Sequence, residues 1–214
     1  MAIYPSSLRI LVMEFVPIDH TLPSPAQLCA RIAEMHRTSV SPNGMFGFPV
    51  PTYLGQFSQP PEWDSNWAAM FGRMLDRLVQ FSSEVLWDDR CRAEFKRLVR
   101  NTVPRILGPL QSDGRSLKPC LVHGDLAIGN IGVNMQTGRP VVFSPSGLYA
   151  HNEYELGSWC RRTGAFSWAY FREYQKHFPP SDPVEQWDDR LRLYGIKSSL
   201  SHILLTPNTV VQYQ

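Results

Sequence analysis

At 214 residues the chain can hold one sizeable core, or one lobe and part of another. Its 43% hydrophobic and 12% aromatic content are globular values, and a formal net charge of +2 is too small to argue for nucleic acid or a membrane surface as partner. No apolar run is long enough to predict a membrane-spanning helix, and the first residues lack a secretory pattern. Cys29, Cys91, Cys120 and Cys160 lie far apart with no metal spacing, so they read as reduced core thiols of a cytoplasmic protein.

In chain order, residues 8–16 (LRILVMEFV) form an apolar run that predicts a buried strand. Ser24-Pro25-Ala26-Gln27 opens a helix: Ser24 caps, Pro25 suits the first helical position, and Gln27 completes a capping box. Leu28, Ile32 and Met35 make its apolar stripe, and His36 is expected as a cation near its C-terminus. Residues 38–65 read as a long loop rich in Pro, Gly, Asn and Ser, of a length that argues for a function. Asp64 or Ser65 is expected to cap a core helix built on Trp67, Met70, Phe71, Met74, Leu75, Leu78 and Val79. A third helix is expected over residues 89–103, ended by Pro104 and Gly108. Its face of Arg90, Arg92, Lys96, Arg97 and Arg100 alternates with acids and reads as solvated.

The most informative stretch is residues 121–156, LVHGDLAIGNIGVNMQTGRPVVFSPSGLYAHNEYEL. A short strand at 119–122 delivers His123-Gly124-Asp125. Two β-rich runs, 131–133 and 140–143, are joined by Gln136-Thr137-Gly138 and predict a hairpin. His123, Asp125 and Asn130 are therefore expected in one tight loop, with Gly124 and Gly129 allowing its backbone angles. Phosphoryl transfer needs a carboxylate to orient and deprotonate the attacking hydroxyl, and an oxygen ligand for the metal on the nucleotide phosphates. Asp125 is the expected base and Asn130 the expected metal ligand, with His123 bracing the loop. A helix is expected from Glu153 to about residue 161, followed by helices over 166–177, 183–194 and 197–205.

His-Gly-Asp-Leu-x-x-Gly-Asn, followed by the hairpin, Phe143-Ser144-Pro145, Tyr149, Ala150-His151, Glu153 and Glu155-Leu156, resembles the fructosamine and ribulosamine 3-kinases. These belong to the aminoglycoside phosphotransferase superfamily, whose fold is that of the protein kinases. The resemblance implies an α+β, mostly helical, protein-kinase-like large lobe over residues 20–205. A remnant of the small lobe with the hinge strand would occupy residues 1–19, and a tail residues 206–214. It implies ATP and Mg2+ as cofactors, with adenine against the backbone of Glu14, Phe15 and Val16. It also implies a glycated amine or protein as substrate, with His151 and Glu153 shaping its pocket.

Two departures bear on activity. Ser144 stands where the family has an aspartate that holds magnesium, and a hydroxyl is a weaker anchor than a carboxylate. Only seven residues precede the expected hinge strand, with no Gly-rich loop and no phosphate lysine, so the small lobe is expected to be largely missing. The expectation is a ketosamine 3-kinase relative of weak or absent activity; the alternative is a non-catalytic remnant or binding module of the same fold. A kinase of the aminoglycoside or choline type fits the 149–156 segment less well.

Overall fold

Ser24 starts the first helix, α1 (Pro25–Thr38), by accepting a hydrogen bond from the Gln27 amide at 3.4 Å. The computed structural model to which this helix belongs describes residues 12–55, 57–59, 62–82, 88–160 and 165–205. Leu28 and Ile32 of α1 are fully buried, each contributing about 1.5–3 kcal/mol of transfer free energy. They pack with Trp159, Tyr170, Phe171 and Tyr174 in one of two main apolar clusters. His36 sits in the last turn of α1, as expected, but it is fully buried rather than solvated.

The expected strand at 8–16 is corrected in its described part. Residues 12–17 have no regular structure, and Val12 and Phe15 are 87% and 88% exposed. Pairing begins one residue later, in β1 (Ile18–Asp19). This strand lies antiparallel to β5 (Ile131–Asn134), which pairs in turn with β6 (Pro140–Val142). The long loop carries a small hairpin of its own, β2 (Tyr53–Leu54) with β3 (Phe57–Ser58).

The second helix, α2 (Trp67–Ser82), buries the predicted stripe from Trp67 to Leu75 in the other main cluster, and Leu78 in a smaller one with Phe57, Leu200 and Leu204. Its cap is Asn66, whose Oδ1 accepts from the Ala69 amide at 2.8 Å; Asp64 instead accepts from the Asn66 amide. The third expected helix is divided. Asp88 caps α3 (Asp89–Arg97), a π-helical stretch runs over Leu98–Thr102, and α4 (Val103–Leu107) follows. Pro104 does not end it. Its ring nitrogen cannot bond back to residue 100, and the widened turn places the Val103 amide on the Leu98 carbonyl instead.

The strand β4 (Cys120–Val122) pairs with β7 (Leu148–Ala150), enclosing the β5–β6 hairpin between them in sequence. The expected α-helix from Glu153 is a 3-10 segment, Asn152–Cys160. After α5 (Trp168–His177), the two expected final helices form one, α6 (Trp187–Leu205). Gly195 does not interrupt it, because the glycine serves close packing: a Cβ there would lie 3.0 Å from the Cys160 Cβ. Facing it, a Cβ on Gly157 would come within 2.7 Å of the Tyr194 backbone. Of the four cysteines, Cys29 and Cys120 are in the core, with thiols pushed up to about 12 by burial, whereas Cys91 and Cys160 lie at the surface. No helix among the described residues is long and apolar enough to cross a membrane.

Candidate active site

His123 leaves β4 and the chain turns at once. Gly124 has φ +79, and a Cβ there would lie 2.2 Å from the Ser146 carbonyl oxygen, so the turn needs glycine. Gly129 has no such requirement: its φ is not in the left-handed region and a Cβ would meet open space. The Asn130 amide nitrogen donates to the Asp125 carbonyl at 2.8 Å and to Asp125 Oδ2 at 2.9 Å. One short loop therefore holds the carboxylate and the amide face to face, as the spacing predicts.

His123 braces this loop. Its Nε2 donates to the Phe143 carbonyl at 2.8 Å, which leaves Nδ1 to accept, at 3.4 Å, from the Asp125 amide. The Phe143 amide returns to the Asn130 carbonyl at 3.1 Å, so the end of the hairpin is tied to the start of β5. Ser144 follows directly, solvent-exposed and with φ +55. The next turn is fixed by Ser146. Its amide donates to the His123 carbonyl and its hydroxyl to the Tyr53 carbonyl, both at 2.8 Å, while Gln59 Nε2 donates to the Ser146 carbonyl. The long loop thus packs beside the site through β2 and β3.

Glu155 holds the loop from behind. Its Oε2 accepts from the His123 amide and its Oε1 from the Gly124 amide at 3.0 Å. Ser158, on the same 3-10 segment, donates to the Leu126 carbonyl at 2.9 Å. His151 and Glu153, expected at the substrate pocket, are placed otherwise. His151 is hydrogen-bonded to Tyr194 at 2.8 Å and Ser181 at 2.9 Å. Glu153 takes both Arg190 Nε, at 2.6 Å, and Nη2, at 2.9 Å. Both are buried, and a solute would reach neither without displacing these partners. The loop positions of Gln59 and Ser146 carried no motif that marked their roles in the sequence.

The fit of a metal can be tested on the donor set. Asp125 brings one carboxylate, Asn130 one amide oxygen and Ser144 one hydroxyl. Among the described residues no three His, Cys, Asp or Glu side chains gather as metal ligands. Magnesium prefers carboxylates together with substrate phosphates, so these residues do not make a magnesium cage.

The fructosamine kinase family profile matches residues 6–212. The chain is 29% identical over 192 residues to the chloroplastic protein-ribulosamine 3-kinase of Arabidopsis thaliana, covering 89% of this chain and 56% of that one. It is 29% identical over 157 residues to mouse ketosamine-3-kinase, covering 73% and 47%. It thus spans about half the length of these curated relatives. Its structure resembles that of a candidate fructosamine-3-kinase from Haemophilus somnus with a TM-score of 0.67, at 16% identity, over 90% of this chain and 61% of that one. A second such structure, from Thermobifida fusca, gives 0.63 at 20% identity, over 87% and 62%. The architecture is accordingly the α+β, mostly helical one of these kinases, and the chain belongs to the fructosamine kinase family.

Proposed function

We propose that this chain carries the phosphoryl-acceptor side of a ketosamine 3-kinase: ATP is the phosphoryl donor, and the acceptor is a sugar hydroxyl of a glycated amine or protein. The observation that supports this reading most directly is the Asn130 contact to Asp125. It orients the one carboxylate that would take the proton of the attacking hydroxyl. His123 and Glu155 act on the loop backbone and keep the carboxylate in place. Relatives named protein-ribulosamine 3-kinase and ketosamine-3-kinase supply the substrate class. The stretch Glu14, Phe15 and Val16, exposed at its first two residues and half-buried at the third, is the proposed adenine edge. A cytoplasmic or other reducing compartment fits the two core thiols.

Ser144 favours a second reading, a non-catalytic binding module of the same fold. No carboxylate stands at the end of the hairpin, and electrostatic terms supply most of the catalysis in phosphoryl transfer. A radiolabelled ATP assay with a glycated lysine peptide separates the two. Turnover that vanishes in Asp125→Ala supports the kinase reading with Asp125 as base. Absence of turnover in a folded chain, with the peptide still bound, supports the second.

A further inference from the structure

The two residues before Asp125 are held by two different elements. Glu155 takes the His123 and Gly124 amides. Ser146 acts on the same pair through other atoms. Its amide donates to the His123 carbonyl at 2.8 Å. Its own carbonyl lies so close to Gly124 that a Cβ on that glycine would come within 2.2 Å of the oxygen. Where the Ser146 carbonyl sits therefore limits where Gly124, and the Asp125 that follows it, can sit.

That carbonyl is in turn held by Gln59, a buried residue directly after β3. Gln59 Nε2 donates to the Ser146 carbonyl at 2.8 Å, and lies 2.6 Å from the Ser146 hydroxyl oxygen and 3.2 Å from that of Thr52. The amide cannot be turned over, because Oε1 would then face a carbonyl oxygen, and two acceptors do not bond. In the orientation that serves Ser146, Gln59 Oε1 is buried without a partner among the described residues. An unpaired buried acceptor is unfavourable, and unfavourable local arrangements persist mainly where function needs them. Here it accompanies the one side-chain amide that fixes the carbonyl packed on Gly124.

We propose that Gln59 is a positioning residue for Asp125. Gln59 fixes the Ser146 turn, the turn fixes His123 and Gly124, and the Asp125 carboxylate is thereby kept at Asn130. The long loop at 38–65 serves the site through this contact. The inference rests on the phosphoryl-transfer reading for its effect on rate, but not for its effect on the loop.

The test compares the full wild-type chain with three variants. Gln59→Met keeps the length and loses the donor. Gln59→Asn keeps an amide that stops one bond short of Ser146. Gln59→His carries an Nε2 as many bonds from the backbone as that of glutamine. Two readouts are taken: the 15N–1H signals of the Asn130 side-chain amide, and turnover of ATP with a glycated lysine peptide. The Met and Asn variants should shift the Asn130 signals and lower kcat about tenfold, with both KM values within about twofold of wild type. The His variant should return both readouts towards wild type. Ile106→Ala, a truncation of a buried side chain in α4, should lower the urea midpoint but leave the Asn130 signals in place. The proposal is overturned by Asn130 signals that stay put in the Met and Asn variants, by signals that Ile106→Ala moves as far, or by a His variant that restores nothing. A wild type without turnover defeats the phosphoryl-transfer reading instead, and the Asn130 signals alone then decide for or against Gln59.

Discussion

His36 Nε2 lies 3.5 Å from Glu155 Oε2, and neither side chain is exposed. The pair joins α1 to the loop that carries Asp125, because Glu155 accepts from the His123 and Gly124 amides. His36 Nδ1 is in turn 2.7 Å from the Tyr174 hydroxyl, to which Asn152 Nδ2 donates at 3.1 Å. A buried polar line therefore runs from α5 through α1 to the loop. Each member is held by the next, and the carboxylate ends on backbone rather than on another side chain.

That arrangement makes Glu155 a larger stability determinant than its single charge suggests. Glu155→Ala would leave the buried His123 amide and the part-buried Gly124 amide without an acceptor, and His36 without its neighbour. Unsatisfied buried groups cost about 1–3 kcal/mol each, so the expected loss is about 2–5 kcal/mol. Urea denaturation of the two proteins measures it. A loss under about 1 kcal/mol would mean that the loop amides find other acceptors, and that the line does not hold the loop.

The elements legible in the sequence were those set by short-range rules. The cap at Ser24, the stripe of α2 and the hairpin behind Asn130 follow from neighbours a few positions apart. The convergence of His123, Asp125 and Asn130 was legible for the same reason, since five positions on a glycine-led loop leave little freedom. His36 was misread because its partners, Tyr174 and Glu155, lie more than a hundred residues away in sequence. Local pattern gave only a histidine near a helix end. The last two expected helices, 183–194 and 197–205, are one helix, α6, in which Gly195 leaves room for Cys160, a packing partner the local pattern does not reveal. Residues 12–16, the described part of the strand expected at 8–16, are apolar enough for a strand, but apolar content does not supply a pairing partner.

His151 gives the fold a pH limit. Burial is the largest cause of its depressed pKa, about 4 against an ordinary 6.5; Glu153 opposes the shift, and Arg190 and His36 reinforce it. The hydrogen bonds suit a neutral ring. Trp67 Nε1 donates to the Tyr194 hydroxyl at 2.8 Å, which directs the hydroxyl proton to His151 Nδ1. The folded pKa is below the unfolded one, so between these values the unfolded chain binds more protons. Stability is complete above pH 6.5 and is lost as pH falls towards about 4, by at most about 3 kcal/mol. His151→Gln should be less stable at neutral pH, but the gap to wild type should narrow across this window. A gap that stays constant from pH 7 to pH 4.5 would show that His151 is not the group being protonated.

Ser144 follows the Phe143 amide, which bonds to the Asn130 carbonyl, so the end of the hairpin is tied to the residue that contacts Asp125. Its φ of +55 is a left-handed conformation that aspartate tolerates better than most residues, so Ser144→Asp should fold without large backbone strain. In the proposed reading, the wild-type loop would offer Mg-ATP one carboxylate and one amide oxygen, and Mg-ATP is expected to bind weakly. Ser144→Asp adds a second carboxylate and should tighten Mg-ATP binding. The affinity for ATP in the presence of EDTA should stay level or fall, since two carboxylates then face the phosphates without a counter-ion. The metal-free variant should also be slightly less stable than wild type, for the same reason. Titration calorimetry of both proteins, with and without magnesium, reads all of this. A folded Ser144→Asp protein whose Mg-ATP affinity equals that of wild type would place residue 144 away from the metal, and the hairpin's assignment to the nucleotide site would be wrong.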